Sequence, residues 1–486
     1  MTIARGLLIG GKDVPAEGGR TTEVITPHTG AVYATVAAAT APDVAAAVGA
    51  AAAAAGQWAA VRPFARRKIF LDAADLLDAR LEQAVALMAG ETGATFGWAA
   101  FNVSLGANMF REVAAAVTAP RGEVLAAEQP GALGLAVREP LGVVAAFAPW
   151  NAPIILGSRA VAAALAAGNT VVLKPSEAAP MSSGLFIADI LREAGLPDGV
   201  LNVVTNDVSD AAEVAQALIG DERVRAVNFT GSTKVGRVIG VLAAQHLKPA
   251  VLELGGKNSV VVLADADVDY AVRAAAFSMC ANAGQICMSA DRLLVHESLA
   301  EEFTTKLVAA VSGLPTGSPK DPATVIGPLV SEAAAARVAG LIADATGKGA
   351  KVLAGGGVPQ GARYPATLLT GVPREAELYH AESFGPVCVI DTFGTDEEAA
   401  DKVNDTENGL SAGVITENLT HGLRVAHRLK TGIVHINDQS VGDEPQAPFG
   451  GVKGSGYGRF GGRWGIEAFS NTRWITMLTQ HAEFPG

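Results

Sequence analysis

Residues 168–254 alternate short β-branched runs with amphipathic stretches, and this alternation constrains the fold more than any other feature. Residues 169–173 read as a strand, and residues 182–194 have helical spacing that stops at Gly195 and Pro197. A second strand at 200–204, a helix at 210–219, a third strand at 224–229, a helix at 232–245 and a fourth strand at 250–254 follow. Strands separated by helices of about 10–14 residues need crossover connections, which predicts a parallel sheet with helices on its faces. The pattern restarts with strands at 259–263 and 292–296 and helices at 268–280 and 299–312, a second α/β unit. Residues 40–118 are dominated by alanine-rich helical patterns, and Thr40 to Asp43 has the spacing of a capping box. Residues 122–138 lack helical spacing, and 133–137 alternate with small residues, which predicts a hairpin. No repeat of fixed period and no long Ser/Pro/Gly linker separates these parts.

The chain of 486 residues is long enough for about three domain-sized units at about 150 residues each. Its net charge of −12 argues against nucleic acid, which selects a basic face. It leaves a nucleotide cofactor open, because backbone amides at a helix start hold phosphate on an acidic protein. Cys280, Cys287 and Cys388 cannot form a disulfide framework and read as reduced thiols, the state expected in a cytoplasm. Residues 1–11 hold one arginine and an apolar stretch of about four residues, below the 7–15 of a signal-peptide core. Two uncharged runs deserve a test for membrane insertion. Residues 44–61 are mostly alanine, and residues 140–158 contain Pro140, Pro149, Asn151 and Pro153, so neither is expected to span a bilayer.

Several segments carry candidate chemistry. After the third strand, Gly231 and Gly236 flank Ser232 at the start of a helix, a turn that suits either a phosphate cradle or a tight strand–helix connection. Arg237 and Val238 stand where a P-loop needs Lys and Ser/Thr, so a magnesium nucleotide site is not expected. Lys174, Ser176 and Glu177 follow the first strand, at the carboxyl edge where parallel sheets bind ligands; the lysine reaches ribose or phosphate and the carboxylate accepts from a ribose hydroxyl. The alternative for them is a solvated loop. Cys287 lies in a glycine-containing loop between a helix and a strand, with the access a nucleophile needs, whereas Cys280 and Cys388 sit in runs that read as core. None of the eight histidines lies near a motif. Glu253 ends an apolar strand, a setting that raises a carboxyl pKa and suits a general base; the alternative is a charged edge residue. Asn151, held between Pro149 and Pro153, offers a neutral amide for an oxyanion; the alternative is an ordinary Asx turn. No metal-ligand spacing appears; His421 and His427 are six apart and do not share a helix face.

Pro149-Trp150-Asn151, Lys174-Pro175-Ser176-Glu177, Phe229-Thr230-Gly231-Ser232, Glu253-Leu254-Gly255-Gly256-Lys257, Gly284-Gln285-Ile286-Cys287, Glu382-Ser383-Phe384-Gly385-Pro386 and Pro448-Phe449-Gly450-Gly451 occur in this order. Together they resemble the aldehyde dehydrogenase superfamily, over about residues 7–475. The resemblance implies an α/β fold with two doubly wound parallel-sheet domains and a small β oligomerisation element. It divides the chain into a NAD-binding domain (1–121 and 139–253), a catalytic domain (254–453) and an oligomerisation element (122–138 and 454–486). It implies that Cys287 attacks an aldehyde, that Asn151 and the Cys287 N–H hold the oxyanion, and that Glu253 activates the water that hydrolyses the thioester. Relatives that pass the acyl group to coenzyme A typically lack that base. Lys174, Ser176 and Glu177 would hold the adenosine ribose of NAD, with Glu177 favouring NAD and Lys174 and Ser176 tolerating NADP. Gly231, Ser232 and Gly236 would hold the pyrophosphate, Glu382 the nicotinamide ribose with Phe384 packing beside it, and Trp150, Leu254 and Gly255 would also bind the cofactor. A homodimer or homotetramer is implied, with no membrane or nucleic-acid partner and no metal.

Residues 437–449 and 456–463, together with Phe101, Asn102 and Val103, are similar to the benzaldehyde, vanillin and salicylaldehyde dehydrogenases. Phe101, Asn102 and Phe449 are the substrate-pocket candidates. Many relatives carry a proton-relaying glutamate where this chain aligns Arg463, and Ser383 replaces a commoner isoleucine. The alternatives are an aliphatic or semialdehyde dehydrogenase of the same mechanism, or a nucleotide-binding relative without chemistry.

Overall fold

Residues 141–173 carry a single charge, Arg159, and this apolar run builds the centre of the first sheet. In the computed structural model, which describes residues 3–481 and 484, the run forms β1 (Val143–Ala148), α1 (Pro153–Ala167) and β2 (Thr170–Pro175). β3 (Leu201–Val203), β4 (Val224–Thr230), α2 (Thr233–Gln245) and β5 (Ala250–Glu253) follow. The five strands pair in parallel in the order β3–β2–β1–β4–β5. Leu7–Ile9 and Lys12–Val14 extend the β3 side and Gly456–Tyr457 the β5 side, all antiparallel, giving eight strands. The four strands expected from the alternation are β2 to β5. β1, at the centre, was not expected: all six of its residues are buried, so its sequence has no alternating period. α1 is buried at all fifteen positions and shows no amphipathic stripe for the same reason.

The second sheet begins four residues after the first ends. It contains β6 (Asn258–Val262), β7 (Ala290–His296), β8 (Thr367–Thr370), β9 (Val387–Phe393), β10 (Ser411–Ile415) and β11 (Ile433–Ile436). They pair in parallel in the order β8–β9–β7–β6–β10–β11, with Lys351–Ala354 antiparallel at the β8 edge. α3 (Val268–Cys280) and the helix Ala300–Ser312 are the expected crossovers.

The alanine-rich region forms four helices, Ala41–Ala59, Pro63–Ala79, Leu81–Thr92 and Phe96–Ala116. At the start of the first, the Thr40 N–H donates to the Asp43 carboxylate at 2.9 Å, as the spacing predicts. The expected helix at 182–194 opens with a wide turn, Met181–Leu185, before regular helix Phe186–Glu193. Its first amides, Met181 and Ser182 N–H, donate to the buried Glu91 carboxylate at 2.8 Å each.

Residues 122–138 form a hairpin: Gly122–Leu125 pairs antiparallel with Ala132–Pro140. The far side of Ala132–Pro140 pairs with Ser470–Leu478, making a separate three-stranded sheet. The C-terminal segment therefore divides. Residues 456–457 join the first sheet, the helix Gly462–Ala468 packs on α1, and only 470–478 meet the hairpin. Residues 1–2, 482–483 and 485–486, at the ends of the expected divisions, lie outside the described residues. Among the described residues no helix is long and apolar enough to cross a membrane.

Candidate active site

In the first sheet the strand order reverses between β1 and β4, and loops at the carboxyl ends of strands flanking such a point form a ligand crevice. Asn151 follows β1, Gly231 and Ser232 follow β4, and Glu253 ends β5. Cys287 lies in the loop before β7, and Glu382 and Phe384 in the loop before β9. All of these line one cavity of about 340 Å³, together with Trp150 and Gly255. The carboxyl edge of the first sheet thus meets the amino edge of the second.

The loop that presents Cys287 is tightly constrained. Asn282 and Ala283 adopt φ of 48° and 55°, costly for residues with a Cβ, and Gly284 follows at 71°. A Cβ on Gly284 would lie 2.0 Å from the Gly385 carbonyl, so the Cys287 and Glu382 loops touch through backbone. The Cys287 carbonyl accepts from the Asn258 side chain at 2.7 Å. Cys287 itself is half-buried, while Cys280 and Cys388 are buried core thiols. Burial pushes the Cys287 thiol pKa well up, and the Glu253 and Glu382 carboxylates push in the same direction. A protonated thiol therefore needs a neighbouring base.

Glu253 is that neighbour. It is 1% exposed, and both carboxylate oxygens lack a hydrogen-bond partner among the described residues. Burial pushes its pKa up to about 7, against the pull of the Arg159 guanidinium. Asn151 is buried, and its backbone carbonyl accepts from Trp98 Nε1 and from Asn282 Nδ2, both at 2.9 Å. These bonds fix the loop and leave the side-chain amide for another partner.

The other side of the cavity suits a dinucleotide. Ser232 caps α2, its hydroxyl accepting from Val235 N–H at 3.3 Å, and the first turn of α2 holds no acidic residue to compete with a phosphate. A Cβ on Gly236 would fall 2.2 Å from the Leu254 side chain, so a larger residue there would force Leu254 aside. Glu382 receives the Gly256 N–H at 3.0 Å, and burial pushes its carboxyl pKa up to about 8, helped by Asp291. Trp150 and Phe384 meet edge to face with centroids 5.5 Å apart, and Phe384 is held at a φ of 45°. Ser383, in the commoner isoleucine's place, is buried with its N–H on Asp291 at 2.9 Å. Lys174, Ser176, Glu177, Gly236 and Leu254 do not line this cavity. Lys174 Nζ instead pairs with Glu177 at 2.6 Å, and the same carboxylate oxygen accepts from Asn206 at 2.9 Å. The bare helix start, the glycines beside it and this polar pair fit NAD(P).

Trp98 and Asn282, the two donors to Asn151, also line a second cavity of about 1100 Å³ that contains Phe101 and Phe449. Asn102 does not line it. It is fully buried, donating to the Trp98 carbonyl at 3.0 Å and accepting from Ile155 N–H at 3.4 Å. That expectation is corrected: Asn102 braces α1 against its neighbouring helix. Sequence reasoning missed Trp98 and also a buried ion pair, Arg159 Nη2 to both Asp443 oxygens at 2.7 and 2.5 Å. The Arg159 guanidinium lies 4.1 Å from the Phe449 ring centroid. The signal for Arg159 was its isolation as the one charge in residues 141–173. Arg463 lines a separate cavity of about 270 Å³ with Arg121 and Arg138. Among the described residues no cluster could hold a metal ion.

The profile of the aldehyde dehydrogenase family matches residues 14–475. The chain is 49% identical over 479 residues to a vanillin dehydrogenase of Pseudomonas fluorescens, covering 99% of each chain. It is 40% identical over 474 residues to an NAD(+) benzaldehyde dehydrogenase of Pseudomonas putida, covering 97% of this chain and 96% of the other. Its structure superposes on that of a salicylaldehyde dehydrogenase from Pseudomonas putida G7 complexed with salicylaldehyde, with a TM-score of 0.97, 40% identity and full coverage of both chains. This chain belongs to the aldehyde dehydrogenase family.

Proposed function

We propose that this protein oxidises aromatic aldehydes to carboxylic acids with NAD(P), through a covalent thioester on Cys287. The observation that carries this reading is the meeting of Cys287, Glu253 and Asn151 in one cavity at the switch point of the first sheet. Glu253, with its pKa near neutrality, takes the Cys287 proton as Sγ bonds to the aldehyde carbon. The oxyanion is held by the Asn151 side-chain amide and the Cys287 N–H. NAD(P) supplies the acceptor for the hydride that leaves this carbon, and the thioester remains. Glu253 first releases the Cys287 proton to solvent; it then takes a proton from water as the oxygen adds to the thioester, and returns that proton to the leaving Cys287 sulfur as the acid departs.

Gly231, Ser232 and the start of α2 would hold the pyrophosphate, Lys174, Ser176 and Glu177 the adenosine ribose, and Glu382 the nicotinamide ribose. Trp150, Gly255 and Phe384, which line the cavity, would pack about the nicotinamide. NAD is preferred because Glu177 repels a 2′-phosphate, while the Lys174 ion pair tempers that repulsion. The aromatic substrate is supported by Trp98, Phe101, Phe277 and Phe449 around the larger cavity and by the names of the relatives. A semialdehyde finds no Lys or Arg among the described residues lining that cavity. The three unpaired thiols suit a reducing cytoplasm. The test is NADH production with benzaldehyde and succinic semialdehyde, each with NAD and NADP. The expected result is turnover of benzaldehyde with NAD, abolished in Cys287→Ala. No NADH from any aldehyde, with NAD still bound, would refute the reading.

A further inference from the structure

The larger cavity has an apolar wall and a charged rim of one sign. Its charged lining residues are Asp438, Asp443 and Glu444, and no Lys or Arg lines it among the described residues. Asp443 is neutralised by Arg159, which reaches it from behind the wall. Asp438 and Glu444 are exposed at the rim and make no salt bridge with any described residue. The Asp438 carboxylate accepts only from the neighbouring Gln439 N–H at 2.7 Å, and Glu444 accepts from the Gln446 amide. Two exposed negative charges therefore stand uncompensated on the lining of an apolar-walled cavity, on a chain whose net charge is already −12. Apolar walls confine field lines, so such a rim acts on an entering ligand more strongly than the same charges on an open surface. An anion passing it also sheds water without gaining a cation.

We infer that this cavity admits neutral aryl aldehydes and turns away those bearing a carboxylate, with Asp438 and Glu444 as the specificity-determining residues. The inference rests on the aromatic-aldehyde reading above. Asp443 contributes little to this selection, because its charge is already paired.

4-Carboxybenzaldehyde and 4-carbamoylbenzaldehyde have nearly the same shape and differ in charge, so their kcat/KM ratio isolates the effect. At low salt the amide should be the better substrate by about tenfold or more. In the Asp438→Asn/Glu444→Gln double variant the ratio should fall at least about threefold. Raising the salt should narrow the ratio in the wild type and barely alter it in the variant, because screening removes only a charge effect. A merely structural role for the two residues would not move the salt dependence. Equal kcat/KM for acid and amide, or a ratio indifferent to both salt and substitution, would overturn the inference. Oxidation of benzaldehyde but of neither para-substituted aldehyde would make size the discriminator and overturn it too. A protein that binds NAD but oxidises no benzaldehyde at all would remove the aromatic reading, and this inference with it.

Discussion

Glu253 carries the pH dependence of the proposed reaction. A general base works as its carboxylate, so kcat should rise with pH through about 7, where burial has placed this group. In Glu253→Gln the hydrolytic step should slow by about 100-fold or more, and that rising limb should disappear from the pH–rate profile. The Arg159–Asp443 pair sets where the limb falls. Asp443→Asn leaves Arg159 uncompensated, which stabilises the Glu253 carboxylate and should move the limb toward acid; Arg159→Met should move it toward alkali, each by about half a unit or more. Because each change also breaks a buried ion pair, a stability loss of about 3–5 kcal/mol should show as a lower melting temperature. Opposite pH shifts with similar stability losses would separate electrostatics from unfolding, and shifts in one direction would refute this role. Cys287, Glu253 and Asn151 were readable because each stands in a short motif whose residue types already imply the chemistry. Arg159 and Asp443 were not: they are 284 positions apart, and only folding shows that two lone charges meet.

At the scale of elements, one approach between loops couples the nucleophile to the cofactor side. Gly284 has a left-handed backbone, and the Gly385 carbonyl fills the space a Cβ would need. Gly284→Ala should therefore lower stability by about 2 kcal/mol or more, from backbone strain and overpacking together. It should also lower kcat and raise KM for NAD, since the Cys287 and Glu382 loops must part; steady-state kinetics beside a thermal melt checks both. The strands β2 to β5 could be read because amphipathic crossovers punctuate them. β1 and α1 could not, since complete burial erases both the two-residue and the 3.6-residue period. β8 to β11 were also missed. The crossover helices between β9, β10 and β11, Asp396–Asn404 and Leu419–Ala426, are only nine and eight residues long, and the irregular stretch between Ser312 and Glu332 interrupts the alternation before β8.

In the whole molecule the catalytic cavity exists only because two sheets meet edge to edge, with residues 254–257 as the direct link. The long-range pairing of residues 132–140 with 470–478 ties the hairpin to the far end of the chain, a register that no local pattern announces. That small sheet ends in open strands and exposes Val124 (74%) and Trp474 (73%), a surface suited to another copy of the chain. The proposed dimer or tetramer should accordingly fall to smaller species in Val124→Glu/Trp474→Asp, measured by sedimentation velocity; an unchanged mass would exclude this sheet as the interface. The central claim is that an aldehyde becomes a thioester on Cys287 before Glu253 directs its hydrolysis. Intact-mass spectrometry of Glu253→Gln, quenched after mixing with benzaldehyde and NAD, tests it most directly. The account predicts one benzoyl group per chain, mapped to Cys287 and absent from Cys287→Ala. NADH formation in the Glu253→Gln variant with no acyl adduct on Cys287 would contradict it.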